Sequence, residues 1–104
     1  MNKKRDQFYL DLNKIRLQNN LSPLTSSFIL EHQALHWLRQ MHKNGPELKH
    51  DKIKKQAEVL CRNCDDLLES WMKSPPHKAI LLSDEYNQIG LAIVNRDACA
   101  RLSK

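Results

Sequence analysis

A tandem proline divides the chain at Trp71-Met72-Lys73-Ser74-Pro75-Pro76-His77. Proline brings no N–H to a helix and its ring clashes with the turn before it, so one helix must end here and another can only begin. Ser74 suits the cap of the new helix, and Pro75 suits its first position, where a missing N–H costs nothing. This second helix is short, running from 75 to about 82, and it carries His77 in its first turn. The helix that ends at about Lys73 starts near Asn63, which reads as an N-cap with Asp66 three residues on as its acidic partner. Its apolar residues are Leu67, Leu68 and Trp71.

Upstream, Phe8, Leu12 and Ile15 fall at helical spacing and predict a first helix over 5–19. Asn20 stands where a helix often ends in a left-handed residue, and Pro23 prevents its resumption. A stronger run, Leu30, Ala34, Trp37 and Met41 with Leu38 beside them, predicts a buried second helix capped by Ser26 or Ser27 and ended by Asn44-Gly45-Pro46. His32 and His36 on it form an i, i+4 pair with the geometry of a metal clasp. The intervening residues are Gln33, Ala34 and Leu35, so the H-E-x-x-H pattern fails, and solvent-facing histidines are the simpler reading.

Residues 45–56 form a polar connection that carries His50, and 57–61 is a short, mostly apolar segment that is either a buried strand or the lead-in to a helix. After Tyr86, Ile89-Gly90-Leu91-Ala92-Ile93-Val94 is the one convincing strand; Asn95-Arg96-Asp97 then makes a turn, and 98–102 pairs back as a short edge strand. The order of elements predicts helices layered on a sheet of few strands.

With 104 residues the chain is one domain, 1–104, and no apolar run approaches the roughly 20 residues of a membrane span. A net charge of +5 permits attraction to nucleic acid or an anionic membrane, but the positive residues are scattered among acids and no recognised nucleic-acid motif accompanies them. Met1-Asn2-Lys3-Lys4-Arg5 has the charge of a leader's first region, while Asp6, Gln7, Asp11 and Asn13 interrupt its apolar segment. The chain as given therefore reads as cytosolic or as a mature domain without its leader. Of the three cysteines, Cys61 and Cys64 have the C-x-x-C spacing of zinc ribbons and thiol oxidoreductases. Neither a second pair nor a βαβ context is evident, which favours two small apolar residues flanking a helix start; one bridge beside one thiol is the alternative.

Four motifs, in order and at matching spacing over 12–93, resemble the CAP superfamily of cysteine-rich secretory, antigen 5 and pathogenesis-related proteins, especially its short bacterial members. They are Asn13-x-x-Arg16 followed by Leu21-Ser22-Pro23-Leu24; Leu30, Ala34, Trp37 and Met41; Trp71-x-x-Ser74-Pro75-x-His77; and Tyr86-x-x-x-Gly90 with its apolar tail. The resemblance implies an α+β, three-layer α-β-α sandwich with a small central antiparallel sheet and a cleft lined by two histidines and two acids. By position these are His50, Glu58, Asp66 and His77. The two histidines would hold a divalent metal such as zinc, with the carboxylates behind them fixing the ring tautomers.

The chain departs from the family pattern at Ala57 and Val59, which flank Glu58 in place of glycine and asparagine, at Pro76, and at Asp66, where glutamate is usual. It also ends soon after its last clear strand, which implies a shortened sheet or an edge completed by a second copy, a homodimer. What the resemblance implies for function is a noncatalytic, secreted or periplasmic module that binds a lipid, sterol, peptide or glycan. The alternative is a metal-dependent hydrolase with Glu58 or Asp66 as general base, and the third reading is a basic nucleic-acid or anionic-membrane binder.

Overall fold

The computed structural model describes residues 3–44 and 56–104. Eight elements follow one another: α1 (Lys3–Gln18), β1 (Thr25–Ser26), α2 (Phe28–Asn44), β2 (Gln56–Cys61), α3 (Leu67–Met72), α4 (Pro75–Leu81), β3 (Gln88–Val94) and β4 (Asp97–Ser103). The strands form one sheet in the order β1-β3-β4-β2, with β1 parallel to β3 and the other two pairings antiparallel.

Side chains alternate across each strand, and that alternation sorts the core into two layers. On one face Val59, Ile89, Leu91, Ala98, Ala100 and Leu102 pack with Phe8 and Leu12 of α1, Trp71 of α3 and Leu81 of α4. On the other, Ala92 and Cys99 pack with Ala34, Leu38 and Met41 of α2, and Leu60 leans on this group. The molecule is therefore the expected α-β-α sandwich. The α2 side is thin because its sheet residues are small: a Cβ on Gly90 would lie 2.2 Å from the Glu31 backbone nitrogen.

The sheet differs from expectation in two respects. β4 was expected at an edge, yet it lies between β3 and β2, pairing with β3 along its whole length and with β2 from Ala98 to Ser103. It is central because the 57–61 segment is a strand and takes the outer place. The two-residue β1 carries no periodic signal and forms because Thr25 N–H donates to Asn87 O and Ser27 N–H to Ile89 O.

Several motif residues earn their places through polar ties. Asn13 clasps the backbone of Leu24, its amide donating to the Leu24 carbonyl at 3.0 Å and its oxygen accepting the Leu24 N–H at 2.8 Å. Arg16 is buried and donates to the carbonyls of Ser22, Leu81 and Ser83, tying α1 to the end of α4. Asn20 has a φ of 61°, the left-handed residue expected after α1. The Trp71 indole packs edge-on to Phe8 at 5.6 Å and donates to the Leu60 carbonyl at 3.0 Å, anchoring α3 in the core.

Candidate functional site

Of the four residues expected in the cleft, His50 lies outside the described residues. Glu58 sits mid-strand on β2, buried, directly across from Arg101 of β4. Alternation puts its side chain on the face of β2 that Leu60 also uses, toward α2, whereas Val59 points to the layer of α3 and α4. An Arg101 guanidinium nitrogen stands 3.5 Å from a Glu58 carboxylate oxygen, with side-chain exposures of 1% and 6%. Arg101 also donates to the Gln56 side-chain oxygen at 3.3 Å, and the Gln56 amide donates to Gln33 of α2 at 3.1 Å. The pair thus belongs to a polar chain crossing from sheet to helix.

Arg101 is the residue that the sequence reading missed. A lone arginine inside Ala98-Cys99-Ala100-Arg101-Leu102 and a lone glutamate inside Ala57-Glu58-Val59-Leu60 are each costly to bury. Two such residues of opposite sign, each in a strand, are legible as partners.

Asp66 is exposed and is itself the N-cap of α3, accepting the Glu69 N–H at 3.0 Å. This corrects the expected register, in which Asn63 capped and Asp66 followed: Asn63 instead adopts a φ of 55° in the turn leading to the helix. His77 is half-buried at the third position of α4, after Ser74 as cap and Pro75 in the first turn, as the sequence implied.

Glu58 is held by Arg101 and Asp66 by the α3 backbone, and among the described residues no three His, Cys, Asp or Glu side chains gather where an ion could be held. One oxygen of each acid is engaged in these ties, and no chemical step is drawn through a metal here. His32 and His36 are solvent-facing on α2, as the simpler reading held.

Two further features accompany this geometry. Cys61 and Cys64 form a disulfide, correcting their reading as apolar residues at a helix start, and Cys99 is a separate buried thiol. The disulfide loop is fastened to the β3–β4 turn, where the Asp97 carboxylate accepts the Asn63 N–H at 2.8 Å and lies 2.7 Å from the His42 ring. Partial burial works to raise the Asp97 pKa, but the Asn63 N–H, the His42 ring and the Arg62 charge outweigh it and hold the acid below its usual range. Across the molecule, Phe28 and Ile29 stand exposed at the start of α2 and, with His32, Leu35, His36 and Arg39, line a shallow groove.

The three layers, the cap-and-proline junction and the clasp of Asn13 on Leu24 define a small α-β-α sandwich domain. The sequence profile of the Cysteine-rich secretory protein family (CAP) matches residues 10–101, and the chain belongs to that family. Among solved structures it is similar to a cysteine-rich secretory protein of Staphylococcus aureus, with a TM-score of 0.82 and 23% identity over 96% of this chain. It is also similar to an outer surface protein of Borrelia burgdorferi, with a TM-score of 0.86 and 18% identity over 100% of this chain and 96% of the other. An extracellular protein containing a SCP domain from Bacillus anthracis matches with a TM-score of 0.87 and 18% identity over 96% of this chain. The chain spans only 38% and 40% of the staphylococcal and Bacillus chains. At these identities the likeness speaks to fold. A sequence comparison with curated proteins found no match.

Proposed function

We propose that this chain is a noncatalytic binding module that works outside the cytoplasm, recognising a lipid, sterol, peptide or glycan at a cleft walled by His50 and His77. The observation that carries the reading is the Glu58–Arg101 pair. A general base needs a carboxylate within reach of a reacting proton, and the acid best placed by its motif is buried beside Arg101. Asp66, the other acid of the motif set, is engaged as a helix cap. An extracellular setting is supported by the Cys61–Cys64 disulfide, since such bonds persist in oxidising compartments, and by the secretory, outer-surface and extracellular descriptions of the matched structures.

The test is a panel of peptide and ester substrates assayed with divalent ions and with chelator, run beside binding assays for lipid, sterol, peptide and glycan probes. The expected result is no turnover, with binding of one probe class that changes when His50 and His77 are both replaced by alanine. Chelator-sensitive hydrolysis that falls in Glu58→Gln would replace this reading with the hydrolase. If the double-histidine variant binds every probe and ion as the parent does, the cleft is wrongly placed.

A further inference from the structure

The Cys61–Cys64 bridge closes the smallest loop that a C-x-x-C pair can make, at the end of β2 and the start of the turn into α3. Constraint of the unfolded chain grows with loop length, so a bridge over two intervening residues contributes less to stability than a long-range one. Nor does the loop depend on the bridge for its position. The β2–β4 ladder pairs Cys61 with Ala98, the Cys64 N–H donates to the Arg96 carbonyl at 2.9 Å, and the Asn63 N–H donates to Asp97. Asp65 is paired with Arg96 of the same turn. With the bridge open, these ties keep the two sulfurs facing one another.

Cys64 is half-buried and stands on the wall of an open groove of about 550 Å³ between α1, the disulfide loop and the β3–β4 turn. Phe8, Leu67 and Leu68 supply apolar wall to that groove, and its charged residues are Lys4 and Arg96 with Asp11, Asp65 and Asp66. An extended peptide segment fits such a trough, and a sulfur on its wall is within reach of a thiol carried by that segment.

We propose that Cys61–Cys64 is a thiol–disulfide exchange site that oxidises the dithiols of extended peptide segments lying in this groove. A substrate thiol loses its proton and attacks Cys64 Sγ; the bond to Cys61 breaks, and Cys61 leaves as a thiolate that takes up a proton. The second substrate thiol, deprotonated in turn, attacks the substrate sulfur of the mixed disulfide and releases the Cys64 thiolate, which is then protonated. Two electrons have passed from the substrate dithiol to the protein. A low-molecular-weight disulfide such as oxidised glutathione restores the bridge by the same exchange.

The experiment follows oxidation of an unstructured two-cysteine peptide by oxidised glutathione with and without the protein. The parent should accelerate it by about tenfold or more. Cys64→Ser should abolish the acceleration, and Cys61→Ser, given a one-cysteine peptide and oxidised glutathione, should accumulate a mixed disulfide between the peptide and Cys64. The reduced parent, kept in dithiothreitol, should retain its far-ultraviolet circular dichroism. A smaller acceleration, acceleration that survives Cys64→Ser, no trapped adduct, or loss of the fold on reduction would each overturn the proposal; the last would make the bridge structural. None of these readouts depends on which ligand the His50 and His77 cleft takes.

Discussion

Replacing Arg101 with methionine should be among the most damaging single substitutions in this chain. The side chain is of similar length but leaves Glu58 buried opposite a thioether. At the 3.5 Å separation of the pair, an attraction of about 5 kcal/mol follows for an effective dielectric constant of about 20. Desolvating both groups offsets much of that, so the intact pair adds little net stability. Removing one partner is different, because the remaining charge keeps its desolvation cost and loses the attraction of its opposite charge; the expected loss is about 3–5 kcal/mol. Glu58→Met should be similarly harmful. The double variant, Glu58→Met with Arg101→Met, should lie within about 1–2 kcal/mol of the parent, since apolar replacement of a whole buried pair is often neutral. Urea unfolding followed by circular dichroism measures all four proteins, provided the m-value is unchanged. If Arg101→Met costs under about 1 kcal/mol, or if the two single losses simply add in the double variant, the residues are not coupled and the reasoning fails.

Four smaller predictions follow from other contacts. Asp66→Ala removes the α3 N-cap and should cost about 1 kcal/mol, with Asp66→Asn largely retaining stability, both read by urea midpoint. Gly90→Ala places a methyl 2.2 Å from the α2 backbone and should cost about 1–3 kcal/mol, visible as a lower melting temperature. Replacing both Cys61 and Cys64 by alanine should cost about 2 kcal/mol, the loop-entropy value for so short a bridge, and leave the chain folded. The Asp97 pKa is lower in the folded chain than its ordinary 3.8, so its contribution is present above that value and lost as pH falls through the folded pKa. Asp97→Asn should therefore flatten the acid limb of a stability–pH curve, and an unchanged limb would remove Asp97 from the account.

The elements most legible in the sequence were those whose local chemistry agrees with their tertiary role. Ser74-Pro75 starts α4, Asn20 ends α1, and the α2 stripe of Leu30, Ala34 and Met41 is buried as its spacing implied. What stayed hidden depends on partners distant in sequence. The 57–61 segment was too short for periodicity to separate strand from helix, and its pairing with β4 decided it. The central place of β4 followed from that same pairing. Asp66 and Asn63 are both good capping residues, and the disulfide turn, which gives Asn63 a positive φ, moved the cap to Asp66. At the site, Glu58 was recognised as a buried acid in need of a partner, and sheet register supplies one, Arg101, which the sequence reading did not name.

The claim on which the functional reading rests is that the Glu58 carboxylate is held by Arg101 and does not act as a general base. Carbon-13 spectra of the Glu58 carboxyl at neutral pH, compared between the parent, Arg101→Met and the His50→Ala, His77→Ala double variant, test it directly. The carboxyl resonance should move on loss of Arg101 and stay in place on loss of the histidines. A resonance that ignores Arg101 and shifts with the histidines would contradict the pairing and return Glu58 to the cleft.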